Sequence, residues 1–159
     1  MKIGVVSDTH SLDIPKQMMD DFKKVDLIVH AGDFCTRKEL ALLEKITEVK
    51  AVYGNMDDAQ LRKMLPQKQI FKCEEFSIGL VHGLGTSKDT LKNAAQEFST
   101  SRVDIVIFGH SHQPHNEILN KVLYFNPGSP NDLVRAPYCS YGTIEIKNHQ
   151  IFPKIIKVK

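Results

Sequence analysis

The sequence predicts an α/β fold in which two packed β-sheets are flanked by helices. Up to His112, short apolar runs alternate with stretches of helical periodicity, the rhythm of βαβ units. Beyond it, strand-like runs follow one another with no helix between them. Five of the earlier runs also end alike, in Asp, Asn or His and mostly beside a glycine, so their side chains can meet at one edge of the sheets.

Each element follows from a local pattern. Lys2 to Ser7 is an apolar run leading into Asp8-Thr9-His10. Ile14, Met18 and Phe22 recur at helical spacing, which predicts a helix over about residues 14 to 24 that returns to a strand at Leu27 to Val29. That strand stops at Gly32, where the backbone can turn sharply and present Asp33. Thr36-Arg37-Lys38-Glu39 has capping-box form and opens a helix whose apolar face is Leu40, Leu43 and Ile46. A short strand, Val49 to Tyr53, runs into Gly54-Asn55-Met56-Asp57, and Leu61 with Leu65 predicts a helical turn ended by Pro66. Gln69 to Cys73 and Phe76 to Val81 form an antiparallel pair around Glu74-Glu75, the second strand leading to His82-Gly83. Thr86-Ser87-Lys88-Asp89 caps a helix with Leu91, Ala94, Ala95 and Phe98 inward, and Val103 to Phe108 leads to Gly109-His110-Ser111-His112. Strands over about 115 to 119, 122 to 126, 140 to 147 and 150 to 158 complete the chain, with turns at Asn126-Pro127-Gly128-Ser129 and Asn148-His149.

Bulk properties narrow the function classes. The 159 residues suit one domain, residues 1–159, long enough to bury a core without disulfides or a structural metal. The formal charge of +2 and a C-terminal Lys154, Lys157, Lys159 stripe, which reads as a solvated strand face, give no support to a nucleic-acid partner, and no long basic groove or stacking aromatic set is legible. Cys35, Cys73 and Cys139 have no paired spacing and the N-terminus enters a strand at once, which points to a reducing cytoplasm. No run approaches the roughly 18 apolar residues of a membrane-spanning helix, so no membrane association is expected.

Asp8, His10, Asp33, Asn55, His82, His110 and His112 combine carboxylate, amide and imidazole groups, the ligands a pair of borderline divalent cations would take. Without cysteine in the set, an open site that keeps water is expected rather than a closed structural zinc site. On extended segments, Asp8/His10 and His110/His112 would lie side by side and either share one ion or split between two; Asp33, alone on its turn, suits a bridge. Two ions roughly 3.5–4 Å apart can activate a shared water, orient a phosphoryl group and neutralise developing charge, which suggests phosphoester hydrolysis, although a two-metal amidohydrolase draws on the same ligands. Taken singly, each residue has an ordinary reading: Asp33 and Asn55 as turn formers, Asp8 as a helix-approach cap, the histidines as structural. His30 reads as a packing residue, His115 as a solvated strand position and Asp57 as a loop brace through backbone hydrogen bonds. Asn126, Gly128 and Ser129 form either a plain turn or contacts near the metals.

In order along the chain, Asp8-x-His10, Gly32-Asp33, Gly54-Asn55-x-Asp57, His82-Gly83 and Gly109-His110-x-His112 resemble the calcineurin-like metallophosphoesterases, and Asn126-Pro127-Gly128-Ser129 resembles their small bacterial and archaeal phosphodiesterase branch. The resemblance implies a four-layer αββα sandwich with two mixed β-sheets. It implies that Asp8, His10, Asp33 and His112 hold one metal while Asp33, Asn55, His82 and His110 hold the other. Asp33, Asn55 and His82 are then the catalytic candidates, around a metal-bridging hydroxide that attacks phosphorus in line. Manganese is a common activating ion in such enzymes, with nickel, iron, cobalt or zinc in similar sites. Where many relatives have Gly-Asn-His-Asp, this chain has Met56, and a thioether cannot protonate a leaving oxygen. A small phosphodiester with a good leaving group is therefore the expected substrate, with phosphomonoesterase or nuclease activity as alternatives. Leu84 likewise stands where some relatives carry a second histidine. The retromer scaffold subunit shares this fold and uses it for protein contacts, so a metal-binding scaffold is the non-enzymatic alternative.

Overall fold

In the computed structural model, which covers residues 1–159, the elements follow the expected order. They are β1 (Lys2–Val6), α1 (Lys16–Phe22), β2 (Leu27–His30), α2 (Arg37–Glu44), β3 (Val49–Ala51), α3 (Ala59–Met64), β4 (Lys68–Cys73) and β5 (Phe76–Val81), then α4 (Thr90–Glu97), β6 (Ile105–Ile107), β7 (His115–Leu119), β8 (Val122–Asn126), β9 (Ser140–Lys147) and β10 (Gln150–Lys157). One five-stranded sheet has the order β10-β9-β1-β2-β3 and the other β4-β5-β6-β8-β7. Both are mixed. β1, β2 and β3 are parallel, bordered by antiparallel β9 and β10; β5, β6 and β8 are parallel, bordered by antiparallel β4 and β7.

Strand alternation assigns the two faces of each sheet. Ile3, Val5, Leu27 and Val29 of the first sheet meet Ile78, Leu80, Ile105, Ile107 and Phe125 of the second in the core between them. On the outer face of the first sheet, Met18, Phe22, Leu40, Leu43 and Leu61 of the helices α1 to α3 pack on Val6, Ile28 and Tyr141. On the outer face of the second, Ala94 and Phe98 of α4 pack on Val81, Val106 and Phe108. The result is a four-layer αββα sandwich. Two glycines allow the outer layers to approach: a Cβ on Gly4 would stand 2.9 Å from the Phe22 ring, and one on Gly79 2.9 Å from the Phe98 ring.

Several local expectations shift. α1 starts only after Pro15, which occupies the cap position, and covers fewer residues than its apolar spacing predicts. Thr36 has the extended backbone of a cap residue but its side chain caps nothing. Its hydroxyl instead meets Ser11 Oγ at 3.1 Å, and Glu39 is buried near His30 Nε2 at 3.7 Å. The capping box therefore stays open. α4 begins at Thr90, later than expected, because the Thr86 hydroxyl donates to Asp89 Oδ2 (2.6 Å) and the Thr86 carbonyl accepts from the N–H groups of Asp89 and Thr90, closing residues 86–89 into a turn ahead of the helix. No helix is long and apolar enough to cross a membrane, and the three cysteines are free.

What the topology does for function is place the carboxyl ends of β1, β2, β3, β5, β6 and β8 along one edge that both sheets share. In open parallel sheets that edge is where loops gather their polar residues.

Candidate metal centre

The loops leaving these strands are laced together through the backbone. Asp8 N–H donates to Gly32 O and His10 N–H to Asp33 O, both at 3.0 Å, joining the loops after β1 and β2. Gly109 N–H donates to His82 O at 2.9 Å, and His110 N–H crosses between the sheets to Asp8 Oδ2 at 2.9 Å. Asp8, His10, Asp33, His110 and His112 have φ of 57°, 53°, 60°, 66° and 57°. That left-handed region is uncommon for residues with a Cβ and costs about 1–3 kcal/mol each, a strain that concentrates at functional sites. Asp8/His10 and His110/His112 are thus not extended pairs, as their spacing predicts, but residues of left-handed turns entered after the strands end. The turns leave no room for larger neighbours: a Cβ on Gly54 would collide with the Asp33 carboxylate, and one on Gly109 with Ser7 Oγ.

All seven sequence candidates converge. Asp8, His10 and His112 each place a ligand atom within 4.8 Å of the others, as do Asp8, Asp33 and His82. Within the first group His112 Nε2 is 3.4 Å from Asp8 Oδ1 and 3.2 Å from His10 Nε2. On the other side His82 Nε2 is 3.3 Å from Asp33 Oδ2 and 3.2 Å from Asn55 Oδ1, which lies 3.0 Å from His110 Nδ1. The i,i+2 histidines therefore part company, His112 toward Asp8 and His110 toward Asn55. Asp33 Oδ2 also lies 3.9 Å from His10 Nε2 and Asp8 Oδ1 3.9 Å from His82 Nε2, so a carboxylate oxygen of each stands between the two groups. Ligands bonded at about 2.1 Å to one ion lie roughly 3.0 Å apart in an octahedron and 3.4 Å in a tetrahedron, which the separations of 3.0 to 3.4 Å within each group fit. The donor chemistry fits as well: Asp8 Oδ1 is buried with no hydrogen-bond donor, a costly state for a carboxylate oxygen and one a cation relieves.

The histidines are held in matching fashion, one nitrogen anchored outward and the other aimed inward. His82 Nδ1–H donates to Ala31 O at 2.7 Å, His110 Nε2–H to Gly85 O at 2.9 Å, and His112 Nδ1–H to the Asp132 carboxylate; His10 Nδ1 rests 3.6 Å from Cys35 Sγ. Such anchoring selects the tautomer whose lone pair faces the centre. The clustered carboxylates and imidazoles shift one another's protonation. Burial opposes charge on His82, but its hydrogen bond to Asp33 and the charges of Asp8 and Asp33 raise it to about 9. Burial likewise opposes charge on His112, which Asp8 and Asp132 nonetheless raise. Burial would raise Asp8 and Asp33, yet the neighbouring histidines hold both below the usual carboxylate range.

Surrounding residues set the loops. Asp57, almost fully buried, accepts from Asp33 N–H (3.0 Å) and Gly54 N–H (2.7 Å) on Oδ2 and from Cys35 N–H (2.7 Å) on Oδ1, the loop brace that the sequence predicts. The turn at 126–129 is also a brace: Asn126 Nδ2 donates to Gly109 O at 2.9 Å and Ser129 Oγ to Asp8 O at 2.7 Å. Asp132 has no counterpart among the sequence candidates, because a carboxylate in the loop Pro130-Asn131-Asp132 carries no periodicity or motif. His30 stays outside the cluster, accepting Gly32 N–H at 3.1 Å and stacked on Phe34, and His115 pairs with Glu117 at 3.3 Å. Met56 and Leu84 are both about half exposed at the mouth.

Two mixed sheets with a carboxylate, amide and imidazole cluster at their shared edge define a metallophosphoesterase architecture. The chain belongs to this class: the calcineurin-like phosphoesterase superfamily domain matches residues 1–149. A probable metallophosphoesterase of Methanocaldococcus jannaschii is 35% identical over 165 residues, covering 100% of this chain and 82% of that protein. A phosphodiesterase of the same organism is 28% identical, covering 80% of this chain and 83% of its own length. Among solved structures, Vps29 of Entamoeba histolytica complexed with zinc superposes with a TM-score of 0.79 at 24% identity, covering 99% of both chains, a likeness of fold.

Proposed function

We propose that the chain is a binuclear metal-dependent phosphodiesterase that favours substrates with good leaving groups. The observation that supports this reading best is Asp33 Oδ2, which faces His82 on one side and His10 on the other, so that one carboxylate serves two donor groups. Asp8, His10, Asp33 and His112 would hold one divalent ion and Asp33, Asn55, His82 and His110 the other, manganese being the first to try, then nickel, iron, cobalt and zinc. Bound there, the ions supply an activated water and charge neutralisation at phosphorus.

The chain's own groups contribute the rest. Asn55 Oδ1 faces His82 and His110, which leaves its amide N–H groups without an internal partner and able to donate to a phosphoryl oxygen. His82, anchored to Ala31 O, holds its inner lone pair in place and cannot rotate out. Met56 sends its backbone N–H to Asp33 Oδ1 at 2.7 Å, while its thioether can give no proton to a departing oxygen. An aryloxide, which leaves without protonation, should therefore depart far more readily than an alkoxide.

The test is hydrolysis of bis(p-nitrophenyl) phosphate by chelator-stripped protein with each ion restored, beside p-nitrophenyl phosphate and an Asp33→Ala control, with metal stoichiometry measured in parallel. Two ions per chain and turnover that vanishes in Asp33→Ala are expected. Faster monoester than diester hydrolysis would overturn the substrate class, and absence of metal uptake would overturn the reading altogether. A binding-only role is the second reading. It is favoured by Leu133 and Val134, 87% and 92% exposed in the loop that follows Asp132, and two-ion uptake without turnover would select it.

A further inference from the structure

Beside the donor cluster a polar cleft of about 400 Å³ opens outward from Asn55 and His82, lined on its far side by Tyr53, Arg62, Lys68 and Glu97. Lys68 and Glu97 pair at 2.8 Å and cancel one another. Arg62 is different, because its bonds go to neutral acceptors: Nε–H to Asp57 O at 2.8 Å and Nη2–H to Asn55 O at 2.6 Å, with the guanidinium carbon 5.6 Å from the centre of the Tyr53 ring. No carboxylate neutralises it, so the cleft carries one uncompensated positive charge.

The geometry of those bonds decides which part of the guanidinium is free. Nε–H and the neighbouring Nη2–H point the same way along one edge of the plane, and both are used. The end edge, formed by Nη1 and the second Nη2 N–H, is left as a two-toothed donor of the shape that grips an oxyanion. Because two carbonyls already hold the side chain, little rotamer freedom remains to be lost on binding. The acceptor for Nη2 is the backbone of Asn55, whose side chain enters the donor cluster, so the anchor of Arg62 and the cluster share one residue.

We propose that this cleft is a second anion site, and that the substrate is a phosphodiester one of whose ester arms carries a further phosphate, gripped by the free edge of Arg62 while the scissile phosphoryl group lies at the donor cluster. The placement of the scissile group rests on the phosphodiesterase reading above; the anion site rests on Arg62 itself.

Two p-nitrophenyl esters of thymidine 5′-phosphate, one with a 3′-hydroxyl and one with a 3′-phosphate, share the attacked phosphorus and the leaving group. With metal-reconstituted protein the 3′-phosphate should lower KM roughly tenfold, the effect of a charge-assisted contact. Arg62→Gln should shrink that advantage to about twofold or less, while Arg62→Lys keeps part of it. Disturbance of the Asn55 loop alone would slow both esters equally and leave their ratio intact, so an advantage that survives Arg62→Gln overturns the proposal, as do equal KM values in the unsubstituted protein. A second readout needs no turnover: thymidine 3′,5′-bisphosphate titrated into chelator-stripped protein should shift the Arg62 Nε–H resonance saturably. If neither ester is hydrolysed, the phosphodiesterase reading fails and this titration alone decides; a saturable shift keeps the anion site, and an unmoved Arg62 resonance removes it.

Discussion

Asp57 holds three backbone N–H groups from two loops, so Asp57→Asn tests how far the site depends on one buried carboxylate. The amide can keep its oxygen toward Asp33 N–H and Gly54 N–H, but its NH2 then faces Cys35 N–H, donor against donor. Converting two charge-assisted bonds to neutral ones loses about 1 kcal/mol each, and the stranded Cys35 N–H costs about 1–3 kcal/mol more. The sum is about 3–5 kcal/mol, which for a domain of this length lowers the melting temperature by roughly 10 °C. Urea unfolding of metal-free protein reads the loss directly, with an unchanged dependence on denaturant showing that the unfolded state is the same. Because Asp57 fixes the backbone from which Asp33 projects, manganese affinity should fall by roughly tenfold to a hundredfold, as for other groups that orient metal ligands. Coincident unfolding curves with wild-type metal affinity would refute the brace.

Three further outcomes follow from the same geometry. Gly54→Ala should displace Asp33, because the new methyl group collides with its carboxylate and lies 2.7 Å from its backbone nitrogen; isothermal titration should show loss of at least one ion, and two-ion binding at wild-type affinity would contradict the packing. Asp132→Asn should weaken metal binding roughly tenfold or more by freeing the His112 ring, with the His112 ring-nitrogen resonances reporting mixed tautomers; a single unchanged tautomer would count against the anchor. In metal-free protein His82 is raised from 6.5 to about 9, so its protonated form contributes stability that is fully present below pH 6.5 and lost as pH rises through about 9, on the order of 3 kcal/mol. Metal competes with that proton, so apparent affinity should climb over the same window with proton release on binding, and metal-free stability that is flat from pH 6.5 to 9 would refute the assignment.

Much of this is legible in the sequence, and unevenly so for physical reasons. Strands such as Phe76–Val81 and the seven ligand candidates were visible because apolar runs and their polar terminators are local features of the chain. Asp57 was legible as a brace because an Asp three residues past a turn glycine has backbone N–H groups within reach. The backbone at Asp8, His10, His110 and His112 was not, since a left-handed φ in a residue with a Cβ is imposed by cross-sheet bonds such as His110 N–H to Asp8 Oδ2. Thr36 and Thr86 failed as caps for a related reason: Ser11 and Asp89 offered their hydroxyls better partners than the helix N-termini did. Asp132 and Arg62 act through residues distant in sequence or through backbone carbonyls, and no spacing rule announces either.

The donor groups are separated widely along the chain, His10 from His112 by 102 positions and Asn55 from His82 by 27. An ion held between such partners is a removable cross-link. Unlike a disulfide, it is present only in the folded chain, so it stabilises by mass action, about 2.7 kcal/mol when the free ion is at one hundred times its dissociation constant. Since the donors belong to both sheets, the cross-link can close only after the sheets have packed, late on the folding path. Metal should then slow unfolding and leave the refolding rate almost untouched. On this view the ion governs how long a folded molecule lasts, while the rate at which one forms belongs to the sheets alone.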